Sequence, residues 1–60
     1  MKLTADTITD EQIATLTDAD CHDQDLGDYS GLRELTMFAR RGHPSARRRC
    51  AEILNARSAK

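Results

Sequence analysis

Aromatic side chains are nearly absent: the chain has one tyrosine, one phenylalanine and no tryptophan. That excludes a platform on which successive bases of a nucleic-acid strand stack, because such a platform needs several ring faces in a row. No apolar run approaches the ~18 residues of a membrane span, and the N-terminus lacks the apolar core of a signal peptide. The expectation is a cytoplasmic protein with no membrane partner and two reduced thiols, Cys21 and Cys50. The single proline, Pro44, falls in a tight connection, and no repeat or low-complexity tract argues for disorder.

Large apolar residues are also few: Leu3, Ile8, Ile13, Leu16, Leu26, Tyr29, Leu32, Leu35, Met37, Phe38, Ile53 and Leu54. They fill one small core. A chain of 60 residues forms a single domain that buries only about 60% of its unfolded surface, so marginal stability is expected without outside help. A small-molecule site usually needs a cleft of roughly 300 Å³ or more. So thin a core leaves no room for one, and no catalytic residues and no enzyme activity are expected.

What the chain has in quantity is charge, unevenly placed. Residues 1–30 carry eight acids against Lys2, a net of −7, and residues 31–60 carry eight bases against Glu34 and Glu52, a net of +6. Either the halves face each other or one of them meets a partner. The acids cluster at Asp18, Asp20, Asp23, Asp25 and Asp28, and the bases at Arg40, Arg41, Arg47, Arg48 and Arg49.

Local signals place three helices. Thr9 caps a helix that Gln12 closes from three residues on, and Ile8 and Ile13 form a hydrophobic staple across the cap. Asp10 and Glu11 favour the positive end of the helix dipole. Ile13, Leu16 and Thr17 form the inward stripe of a helix over 9–20, after residues 1–7, a tail or a short arm carrying Leu3. Asp20 to Gly27 is an acidic connection. A second helix over 29–41 turns Leu32, Leu35 and Ala39 inward, with Tyr29 and Phe38 beside them and Arg33, Met37 and Arg41 facing elsewhere. Gly42 ends it, and Pro44 opens a third helix over 44–57. There Ala46, Cys50, Ile53, Leu54 and Arg57 share a face, Arg47, Arg48, Ala51 and Asn55 lie opposite, and Arg49 borders the core. The reading is an all-α, three-helix domain over 1–60 with a C-terminal αα-hairpin.

Three constellations invite chemistry, and each fails on spacing. Cys21, His22, His43 and Cys50 include an adjacent pair that cannot easily share one ion, so no metal or cofactor is expected. The acidic cluster does not fit a calcium loop. Starting at Asp23 puts Gly27 one position early, and starting at Asp18 puts Asp23 where glycine belongs. A helix-turn-helix around Gly42 would set Phe38 at a small-residue site and Arg48 at an inward one. Cys21 beside His22 is no nucleophile–base pair, since the surrounding acids raise a thiol pKa.

The segments Ile8-Thr9-Asp10-Glu11-Gln12-Ile13, Gly27-Asp28, and Gly42 followed by Ser45-Ala46-Arg47 and Cys50-Ala51-Glu52-Ile53 resemble small accessory proteins of bacterial mobile elements: plasmids, integrative elements and phages. The resemblance implies a protein that binds a host or defence-system protein, and inhibitors of CRISPR systems are of similar size. Two surfaces are candidates for that contact, the acidic cluster and the arginine-rich third helix, with Met37 as an apolar anchor. The same arginines would serve a nucleic-acid-binding regulator through phosphate contacts. A homodimer in which the second and third helices complete each other's core is a further expectation.

Overall fold

The computed structural model describes residues 2–22 and 24–58. It is all-α: the helices are α1 (Asp10–Ala14), α2 (Asp18–Cys21), α3 (Leu32–Arg40) and α4 (Pro44–Ser58), with no strand among the described residues.

The start of α1 follows the sequence closely. The Gln12 amide N–H donates to Thr9 Oγ1 at 3.1 Å, and the Thr9 N–H donates to Gln12 Oε1 at 2.9 Å. Ile8 and Ile13 are both buried on either side of this cap. The helix then stops six residues earlier than the expected 9–20. Thr17 is an N-cap itself: its backbone is extended, its hydroxyl accepts the Asp20 N–H at 3.3 Å, and Asp20 Oδ2 accepts the Thr17 N–H at 2.9 Å. A second capping box three residues beyond Ala14 offers the backbone an alternative to continuing the helix. The expected helix is therefore two, α1 and α2, meeting at an elbow. Leu16 in the elbow is buried, and Thr17 faces solvent rather than the core.

Helix α3 starts at Leu32, not at 29. Tyr29 belongs to the preceding turn, where its N–H donates to Leu26 O and its hydroxyl meets Ser45 Oγ at 2.8 Å. The end of α3 is a Schellman motif. His43 N–H donates to Phe38 O at 3.1 Å, Gly42 N–H donates to Ala39 O at 3.1 Å, and Gly42 takes a φ of +95°. The hydrophobic contact that accompanies this motif is present as well, because the His43 ring stands edge-on to Phe38 with centroids 5.0 Å apart.

Helix α4 is the centre of the molecule, packed on both α2 and α3. The core is Ile8, Ile13, Leu16, Leu35, Ala39, Ala46, Cys50, Ala51, Ile53 and Leu54. Ala51 was expected to face away from it, yet it is only 2% exposed. The reason is the N-terminal arm, which covers that side of α4. Asn55 holds the arm in both directions: Oδ1 accepts the Leu3 N–H at 2.8 Å and Nδ2 donates to Leu3 O at 2.9 Å. Arg47 reaches three carbonyls, with Nε donating to Ala5 O at 2.9 Å, Nη1 to Ala39 O at 3.4 Å and Nη2 to Ile8 O. Residues 2–7 are thus part of the body, not a tail, and Arg47 and Asn55 are half-buried beneath them.

Arg47→Ala should destabilise the fold by about 2–3 kcal/mol, the cost of removing a charged donor from part-buried acceptors. In a chain of 60 residues that is a fall in Tm of roughly 10–20 °C. Arg47→Lys should recover only part, since one ammonium cannot span carbonyls on two sides. An unchanged urea midpoint in Arg47→Ala would mean that Asn55 and the packing of Leu3 and Ile8 hold the arm without it.

Candidate interaction surface

The two charge clusters of the sequence do not survive as two surfaces. Asp20 is turned into its own cap and onto α4, where Arg57 Nη1 donates to Oδ2 at 3.2 Å. Asp25 Oδ1 accepts the Gly27 N–H at 2.8 Å, and its carbonyl accepts Arg49 Nη1 at 3.2 Å. Asp28 is exposed in the turn before Tyr29, and Asp18 is exposed in the first turn of α2. Asp23 lies outside the described residues.

The arginines divide in the same way. Arg47 is committed to the arm. Arg49 lies over the 25–27 turn, so close that a β-carbon on Gly27 would stand 3.3 Å from its guanidinium, and Gly27 has a φ of +62°. Arg57 ties the elbow to α4 through Thr15 O at 3.4 Å and Thr15 Oγ1 at 3.2 Å. Arg48 stands alone on the outer side of α4 beside Ser45 and Glu52. Arg40 and Arg41 lie at the end of α3, exposed. The five-arginine group expected from the sequence is therefore split among four places.

What remains is a stripe on the outer face of α3 that the runs of arginine had obscured. Arg33, Met37 and Arg40 follow at spacings of four and three, which places them on one side of the helix, and Arg41 continues the stripe. Met37 is 42% exposed, the large hydrophobic residue that the core leaves out. The guanidinium groups of Arg33, Arg40 and Arg41 make no hydrogen bond or ion pair with the described residues. Two shallow depressions flank the stripe, each of about 290 Å³. One is lined by Ser30, Gly31, Arg33, Glu34 and Met37. The other runs between α1 and α3, with Ile13, Leu16 and Leu32 in its floor and Asp18, Arg33 and Arg40 on its rim. Arg33 is the ridge between the two. The sequence already turns Arg33, Met37 and Arg41 away from the core. That the guanidinium groups lack internal partners is not legible there.

Neither thiol is set up for chemistry. Cys50 is buried on α4, and burial pushes its thiol up to about 11, with Cys21 adding to the rise and Arg47 opposing it. Burial raises Cys21 too, and Asp20 and Asp18 add to it. Among the described residues no three His, Cys, Asp or Glu side chains converge as a metal site, and no helix is long and apolar enough to cross a membrane.

These environments give the fold a pH signature. The Thr17 backbone N–H holds the Asp20 carboxyl below its ordinary 3.8; burial opposes it, and the Thr17 hydroxyl and Arg57 add to the lowering. Its contribution is complete above that value and is lost as pH falls through the lower folded value. The Cys50 contribution is complete below 9.0 and is lost as pH rises through about 11. Urea midpoints measured across pH should therefore fall at both ends. Asp20→Asn should flatten the acid limb, and Cys50→Ala should flatten the alkaline limb from a lower baseline. Limbs unchanged in these variants would assign the titration to other groups.

No protein-family model matches the chain, and no solved structure matches it. It is similar to part of Internalin J of Listeria monocytogenes serotype 4b (strain F2365), with 52% identity over 31 residues, which is 52% of this chain and 3% of that protein. The chain thus spans about 3% of the length of the curated relative it matches, a likeness too partial to show a family.

Proposed function

We propose that this chain is a small helical, non-catalytic binding module that acts by occupying the surface of a protein partner, with the outer face of α3 as its contact. The observation that carries this reading is the exposed Met37 set among Arg33, Arg40 and Arg41, none of which has work to do inside the fold. An apolar side chain ringed by arginines is the composition of an interface hot spot, where a few residues supply most of the binding energy. The scale is adequate. A standard interface covers about 800 Å² per partner, roughly a fifth of the 4313 Å² that the molecule exposes. The raised thiols of Cys21 and Cys50 support the non-catalytic half of the reading. The resemblance to mobile-element accessory proteins supports a host or defence-system protein as the partner and an inhibitor or accessory role, of which the anti-CRISPR type is one form. The αα-hairpin of α3 and α4 serves here as the rigid mount for the contact face.

A nucleic-acid-binding regulator is the second reading, favoured by the unpaired Arg33, Arg40, Arg41 and Arg48. It is the weaker one, because Arg48 lies on α4, beside Ser45 and Glu52, and not with the other three on α3. Neutralising two or three phosphates gives binding that a rise to physiological salt largely removes.

Affinity capture from bacterial cytosol, followed by titration of the captured protein, separates these readings. Met37→Asp and Arg33→Glu should each weaken the captured complex tenfold or more, about 1.4 kcal/mol, while Asp28→Lys leaves it within threefold. The opposite pattern would move the contact to the acidic side. Anisotropy of a labelled random duplex that stays high at physiological salt would replace the protein partner by nucleic acid.

A further inference from the structure

We infer that the partner element seated on α3 is an acidic amphipathic helix, with two carboxylates seven residues apart on one edge and an apolar side chain between them. This inference rests on the α3 face being the contact surface. Arg33 and Arg40 are seven residues apart on one helix, so they stand about 10.5 Å apart along its axis. A second helix lying along α3 at the shallow crossing of about 20° found in helix bundles repeats that rise. Carboxylates at its positions i and i+7 then meet both guanidiniums, and arginine binds a carboxylate with two parallel hydrogen bonds. Met37 stands between the two arginines, four residues after Arg33, so the side chain opposite it on the partner is apolar. The groove beside it, between α1 and α3, offers Leu16 and Leu32 as an apolar floor.

The edges of the face select against other occupants. Asp18 stands on the rim of the α1–α3 groove, and Glu34 lines the depression on the other side of Arg33. A nucleic acid carries charge along its whole length and meets both acids. A helix with its carboxylates on a single edge avoids them. A second copy of the chain supplies no such element among its described residues: α1 and α2 are 5 and 4 residues long, too short to carry acids seven apart, and α4 presents Arg48 and Glu52 outward.

The test uses the full chain and four labelled, capped alanine-based helical peptides, read by fluorescence anisotropy at physiological salt. One carries Glu at positions seven apart with Leu four after the first; one carries the same residues with the Glu pair five apart; one has Gln for Glu; one has Lys for Glu. The seven-spaced Glu peptide should bind at least tenfold tighter than the five-spaced and Gln peptides. Arg33→Glu with Arg40→Glu should abolish that preference and transfer it to the Lys peptide. Both arginines are exposed and unpaired, so circular dichroism should show the variant folded. Equal affinity for the seven-spaced, five-spaced and Gln peptides overturns the inference. If a captured partner is still lost in Met37→Asp, the binding-module reading survives that result; if capture is also indifferent to Met37, both fall. Displacement of the peptide by random duplex at the same salt, or a dimer by light scattering that Met37→Asp dissolves, overturns the inference in favour of nucleic acid or a second copy.

Discussion

The fold depends on guanidinium groups of α4 donating to main-chain carbonyls of neighbouring segments, most of which have no regular structure. Arg47 takes Ala5, Ile8 and Ala39; Arg49 takes Asp25; Arg57 takes Thr15. Asn55 does the same for Leu3 with an amide. Nearly half of this small molecule is arm, elbow and loop, whose backbone groups have no ladder partner. A part-buried carbonyl without a donor is costly. A five-donor planar group on a long stem can satisfy several carbonyls set apart from one another, whereas lysine's three donors radiate from a single nitrogen. This accounts for the preference for arginine over lysine along α4. It also accounts for the way the irregular segments wrap α4 rather than packing on each other.

The charge asymmetry of the chain acquires a different meaning in this light. The two halves do face each other, but the bases of the second half bind mostly carbonyl oxygens of the first, and its carboxylates only in part. Arg57 reaches Asp20 at 3.2 Å, while Arg47 stands 3.8 Å from Asp10, a distance that long-range attraction bridges and a hydrogen bond does not. Exposed pairs of this kind contribute little individually. The acids supply a favourable field, first-turn charge in α1 from Asp10 and Glu11, and the Asp20 half of the cap at Thr17. The arginines supply the fixed contacts.

How much of this was legible in the sequence follows from how local each feature is. The Thr9 cap, the Ile8–Ile13 staple, the stop at Gly42 and the restart at Pro44 are decided within a few residues, and each is found where the sequence places it. The break at Thr17 was also local: Thr17 and Asp20 repeat the spacing of Thr9 and Gln12. A reading that followed the apolar stripe through Ile13 and Leu16 ran past it. The burial of Ala51 and the inward turn of Arg47 were not legible. They depend on residues 2–7 returning over α4, a contact between positions some 50 residues apart that no periodicity records. Of the candidate site residues, Arg40 and Arg41 remain available on α3. Arg47 and Arg49 belong to the fold, and Arg33, which the sequence marks only as outward-facing, proves to be the residue shared by both depressions.

On the proposed reading, stability and recognition sit on different helices. Substitutions on α4 at Arg47, Arg49, Asn55 or Arg57 release an irregular segment, and any change in binding that follows is indirect. Substitutions on the outer face of α3 at Arg33, Met37 or Arg40 leave every described hydrogen bond between segments in place. Helix α3 still has its rigidity from behind, through Leu35 and Ala39 against α4 and through the Schellman closure at Gly42 with His43 on Phe38. A face that is stiff in backbone and unencumbered in side chains gives up little freedom on binding, and in so small a protein that low ordering cost decides whether a single helix is enough to hold a partner.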